Sequence, residues 1–104
     1  MTQEVTKDII PVASVKFLKD AAAVQEQRAQ LRDTAGGERS MERIVQTFNA
    51  LTGHTLSTAE GWEFMVILKM VRGRQGKFHE DDYTDGASYI SLLGEEESLR
   101  PERR

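Results

Sequence analysis

The segment from Ser57 to Arg72 leaves this chain the least freedom. Ser57-Thr58-Ala59-Glu60 has the spacing of a capping box, in which a hydroxyl and a carboxylate three residues apart satisfy each other's backbone N–H groups at a helix start. Trp62, Phe64, Met65, Val66, Ile67, Leu68, Met70 and Val71 follow, with Lys69 and Arg72 as the conspicuous polar members. A helix apolar nearly all round needs cover on most of its circumference. The segment therefore predicts a helix over 57–73, broken by Gly73 to Gly76, that forms the centre of the fold with Trp62, Met65 and Leu68 buried.

Three further helices are available to cover it. Pro11 supplies the fixed φ of a first helical turn, and Val15, Leu18, Ala22 and Ala29 recur at three- and four-residue steps, which predicts a helix over about 12–32 with a shallow apolar face. It should stop at Asp33-Thr34-Ala35-Gly36-Gly37. Met41, Ile44, Val45, Phe48 and Leu51 share one stripe of a second helix over 38–52, and Gly53 is placed to close it in the left-handed conformation. Asp81 and Asp82 suit the positive end of a fourth helix over 81–95, whose buried side draws on Tyr83, Ala87, Tyr89, Ile90 and Leu93. Glu95-Glu96-Glu97 reads as a solvated end, with Pro101 in the tail beyond. The expected fold is all-α: a single small four-helix domain over 11–97, with a short N-terminal arm at 1–10 and a charged tail at 98–104.

Composition narrows the function classes. The chain has 104 residues, 38% of them hydrophobic and 30% charged, which suffices for one economical core. So few large residues can be completed across a symmetric interface, which favours a homodimer. Without cysteine there is no disulfide framework, thiolate nucleophile or cysteine-bound zinc. The longest apolar run, Phe64 to Leu68, falls far short of the roughly 20 residues that span a bilayer, and the N-terminus lacks the pattern of a secretory signal. A cytoplasmic protein without membrane association is expected. The net charge of −3 argues against affinity gained by neutralising phosphates, because acids accompany both basic clusters, Lys69 to Lys77 and Arg100 to Arg104. Nucleic acid is not the expected partner.

One constellation could carry chemistry. Glu60-x-x-Glu63 and Asp82-x-x-Asp85 each place two carboxylates on one helix face, and on adjacent antiparallel helices the pairs could converge on Mg²⁺ while Lys69 or Arg72 binds phosphate. The same residues also have structural readings. Glu60 is the capping-box acid, Asp82 a helix-start acid and Glu63 a solvent-facing residue, while Asp85 can pair with Lys69 or Arg72 and hold two helices in register. His54 and His79 lie in expected loops with no second ligand at helical spacing, so a zinc site is not indicated. No nucleophile elbow or phosphate-cradling glycine loop is present. Trp62, Phe48 and Phe64 would be partner-binding aromatics if exposed, and core if not.

An ordered set of short motifs carries a resemblance. Arg28-Ala29, Gly37-Glu38-Arg39-Ser40-Met41, Phe48-Asn49-Ala50-Leu51-Thr52-Gly53, Glu60-Gly61-Trp62, Leu68-Lys69-x-Val71-Arg72 and Tyr83-x-Asp85-Gly86-Ala87-x-Tyr89 resemble the phage and prophage family called domain of unknown function 6378. The match runs from about Arg28 to Glu95. Arg32-Asp33-Thr34-Ala35 stands where that family usually shows a Tyr-Asp-Lys-Pro-like turn. The resemblance implies a phage or prophage accessory protein in the bacterial host cell and brings no activity with it. Taken with the lack of an assembled catalytic pattern, it leads to the expectation of a non-enzymatic protein that binds a host or phage protein. The paired acids are also similar in spacing to the motif of the MazG-like all-α nucleotide pyrophosphohydrolases. That second resemblance implies Glu60, Glu63, Asp82 and Asp85 as Mg²⁺ ligands, in an enzyme or in a relative that only binds nucleotide.

Overall fold

The computed structural model describes residues 9–31 and 40–103. Four α-helices follow one another: α1 (Ser14–Leu31), α2 (Met41–Thr52), α3 (Thr58–Gly73) and α4 (Glu80–Ser98), with a 3₁₀ turn at Pro101–Arg103. No strand occurs among the described residues. The fold is all-α, a small single domain of four helices. The expected glycine break at Asp33 to Gly37 and most of the N-terminal arm lie outside the described residues.

The helix boundaries follow from local chemistry. Ser57 Oγ accepts from the Glu60 N–H at 3.1 Å while Glu60 Oε1 accepts from the Ser57 N–H at 2.8 Å, so the capping box that opens α3 is complete. Gly53 closes α2 with φ of 78°, its N–H donating to Asn49 O at 2.8 Å. The Asn49 side chain then clamps the connection, donating to Leu56 O and accepting from Leu56 N–H. At the far end, α4 continues through Gly94 and the three glutamates to Ser98, beyond the boundary expected at 95. Arg100 accompanies the extension. Its guanidinium donates to Glu102 and Glu97 and relieves their charge, and those bonds raise its own pKa above the ordinary arginine value.

Helix packing runs in the order α2, α3, α4, α1. Met41 and Val45 of α2, Trp62 of α3 and Leu92 of α4 form the buried cluster, with Met65, Tyr89 and Leu93 packed against it. The Trp62 and Tyr89 rings stack with centroids 5.8 Å apart. Gly61 lets α2 approach, since a Cβ there would lie 2.5 Å from Met41 Sδ and 2.8 Å from Val45 Cγ1. α1 docks through Phe17, Ala21 and Val24 rather than through Val15, Leu18 and Ala22, which are exposed. The apolar pattern of α1 is shallow on both sides, and the choice goes to the side where Phe17 meets Tyr83 edge-on at 6.2 Å and Ala21 admits close contact.

This open order leaves α3 less covered than a central helix was expected to be. It lies between α2 and α4, and Trp62 is buried, but Met65 and Leu68 are only partly so. Phe64, Ile67, Met70 and Val71 remain 67%, 54%, 64% and 52% exposed. The radius of gyration, 17.1 Å, exceeds the roughly 13 Å of a compact domain of about 100 residues.

Candidate functional site

α3 and α4 run antiparallel, joined by residues 74–79, so the C-terminal half of one faces the N-terminal half of the other. Lys69 and Asp85 meet there. Lys69 Nζ lies 3.0 Å from Asp85 Oδ2, and the two side chains are only 12% and 20% exposed. Gly86 lies beside the pair, and a Cβ at that position would make only ordinary contact with Lys69 Cβ, at 3.7 Å. Tyr83 Oη donates to Gly73 O at 3.2 Å one turn away and fixes the same end of the hairpin. Arg72, the other cation considered for Asp85, is exposed.

The four acids of the magnesium reading are not brought together. Glu60 is held in the capping box, and with Glu63 it lines a recess shared with Glu96, Glu97 and Arg100 at one end of the hairpin. Asp82 lines a groove beside Lys69 and Met70 at the other end, and Asp85 is paired with Lys69. From Glu63 to Lys69, opposite Asp85, the helix alone advances about 9 Å, whereas Mg²⁺ ligands sit about 2 Å from the ion. Among the described residues no group of three or more His, Asp or Glu side chains is placed to hold a metal. The sequence spacing misleads because 18 intervening residues suit convergence only if the helices meet near those acids. Here the turn lies close to Asp82, and the pairs fall apart along the hairpin.

The histidines and aromatics resolve simply. His54 stacks on Phe48 at 5.6 Å, and His79 precedes α4 without a side-chain cap bond. Trp62 is core, whereas Phe48 and Phe64 are exposed.

Sequence reasoning missed a polar seam between α1 and α4. Gln25 Nε2 donates to Ser88 Oγ and to Ser91 Oγ, each at 2.9 Å, and Ser88 and Thr84 are buried. Thr84, Ser88 and Ser91 recur at steps of four and three on α4. That spacing was the available signal, a stripe of small hydroxyl residues where a neighbouring helix can come close.

The second unexpected feature is apolar surface. On α2, Met41 and Val45 are buried against α3 while Ile44, Phe48 and Leu51 of the same stripe stay exposed, Leu51 to 81%. What these features define is an all-α domain locked by one half-buried ion pair, with apolar helix faces left open and no assembled acid cluster among the described residues. The chain belongs to the family described as Domain of unknown function (DUF6378), which it matches over residues 16–97. No curated protein and no solved structure matches it.

Proposed function

We propose that this protein is a small phage or prophage accessory protein that acts in the host cytoplasm by binding another protein, of host or phage, and performs no chemistry of its own. The observation that carries this reading is the half-covered stripe of α2. Ile44, Phe48 and Leu51 stand at i, i+4 and i+7, the anchor pattern with which an amphipathic helix enters an apolar groove, and they are exposed in the folded chain. Burying such aromatic and aliphatic anchors is where interfaces gain most of their affinity. The phage setting rests on the ordered motifs from Arg28 to Glu95. No helix among the described residues is long and apolar enough to cross a membrane.

The test compares wild type with Leu51→Asp as bait in phage-infected or lysogenic cells. Wild type should retain one protein in stoichiometric amount, the purified pair should rebind, and the variant should lose it while keeping its helical circular dichroism. Equal capture by both would remove α2 as the docking helix. Release of pyrophosphate from nucleoside triphosphates by the purified protein with Mg²⁺ or Mn²⁺ would overturn the non-enzymatic reading altogether.

A further inference from the structure

The open face of α3 has an order that the face of α2 lacks. Taken at 100° per residue, Glu63, Ile67, Met70 and Arg74 lie on one line, at steps of four, three and four, with Phe64 and Val71 beside it. All six are exposed. The line is acidic in the second turn of α3, apolar beyond it and basic at the C-cap, and it spans about 16 Å. Read backwards it has the same pattern with the charges exchanged: Glu63 changes places with Arg74, and Ile67 with Met70.

A surface with that symmetry is complementary to its own inverted copy. In an isologous contact each residue meets the image of its counterpart, so two such helices laid antiparallel put each acid against a base and each apolar side chain against another. A parallel arrangement would oppose Glu63 to Glu63 and Arg74 to Arg74, which like-charge repulsion disfavours. Beside Met70 a groove of about 310 Å³, lined by Val66, Gly86, Ala87 and Ile90 with Lys69, Asp82 and Tyr83 also on its border, offers further largely apolar surface to the copy. That addition matters, because one helix pair alone is short of the roughly 800 Å² per partner of a standard interface.

We propose that α3 is the seam of a two-fold homodimer, in which two copies pack antiparallel about a point between Leu68 and Lys69, in the C-terminal half of the helix, and each Glu63 faces Arg74 of the partner subunit. The dimer is separate from the docking stripe of α2. It supplies the missing half of the cover that α3 requires, and it presents two α2 stripes to partners.

Sedimentation velocity and light scattering on the full chain test this. Wild type should run at twice its 11.7 kDa mass at micromolar concentration. Ile67→Asp should be monomeric with its helical circular dichroism retained, since Ile67 is exposed within one copy. Glu63→Arg and Arg74→Glu should each weaken the dimer about tenfold at low salt, and combining them should restore it. Wild type that stays monomeric at about 100 µM, a wild-type association that survives Ile67→Asp, or a double reversal weaker than either single one would overturn the proposal. If Ile67→Asp fails to fold, the charge reversals alone decide. Leu51→Asp should leave the mass at the dimer value, so loss of partner capture and loss of the dimer are read separately. A monomer whose captured partner is lost on Ile67→Asp would show that a different protein, not a second copy, covers α3.

Discussion

Replacing Asp85 with Asn probes the ion pair that joins the two halves of the hairpin. The carboxylate sits 3.0 Å from Lys69 Nζ, and at an effective dielectric of 20 their gross attraction is about 5 kcal/mol, most of it offset by the desolvation of both groups. The decisive quantity is therefore what remains when one partner goes. The Asn form leaves an ammonium 12% exposed without its counter-charge. Breaking a fully buried pair this way costs about 3–5 kcal/mol and an exposed one under about 1, so this position should lose about 2–3 kcal/mol. For a domain of this size that lowers Tm by about 10–20 °C. Urea titration followed by circular dichroism measures it, at one protein concentration throughout because association adds to apparent stability. The loss should be the same with and without millimolar Mg²⁺. Lys69→Met combined with Asp85→Leu removes both charges together and should recover much of the loss, since apolar replacement of a pair is often neutral. A shift under about 0.5 kcal/mol for Asp85→Asn, or a wild-type Tm that rises with Mg²⁺ and does so only while Asp85 is present, would refute the argument.

Two glycines in helices should respond oppositely to alanine. Gly61→Ala forces a Cβ to within 2.8 Å of Val45 Cγ1, on a side chain too stiff at χ1 to yield, and overpacking of about 1–3 kcal/mol should outweigh the gain of about 1 in helix propensity. Gly94→Ala meets nothing within 4 Å and should stabilise by about 0.5–1 kcal/mol; chemical denaturation that ranks the two variants the other way would show that α2 does not press on α3 as described. Ser57→Ala removes the hydroxyl half of the capping box and should cost about 1 kcal/mol, read as a lower urea midpoint at unchanged slope, and an unchanged midpoint would mean the cap contributes nothing.

How legible the chain was depended on whether its signals were local. The start of α3 and the stop at Gly53 were readable because Ser57, Glu60 and Gly53 act within a few residues of themselves. The docking face of α1 was not, because Val15, Leu18 and Ala22 repeat as regularly as Phe17, Ala21 and Val24, and only the position of Tyr83 on another helix separates them. The coverage of α3 was overestimated for a related reason. Periodicity says that a face is apolar but not whether the same chain or another molecule covers it. The carboxylate pairs failed as a site because spacing along the chain does not reveal where a hairpin turns, and residues 74–79 set that register.

The order α2, α3, α4, α1 in space also leads to an expected order in time. The contacts between α3 and α4 close a loop of only residues 74–79, and α2 reaches α3 across a similarly short connection. Joining Gln25 to Ser88 must close 63 residues of chain. Loop entropy rises with the logarithm of length, so the hairpin should form first from contacts that close cheaply, and α1 should dock last onto an α4 already held in place. The contact expected to form last thus joins a seam of hydrogen bonds, from Gln25 to Ser88 and Ser91, to the apolar contacts of Phe17, Ala21 and Val24. Until α1 docks, the stretch of α4 that bears Thr84 and Ser88 should be wetted by solvent at little penalty, which leaves Tyr83 as the main adhesive side chain on that edge.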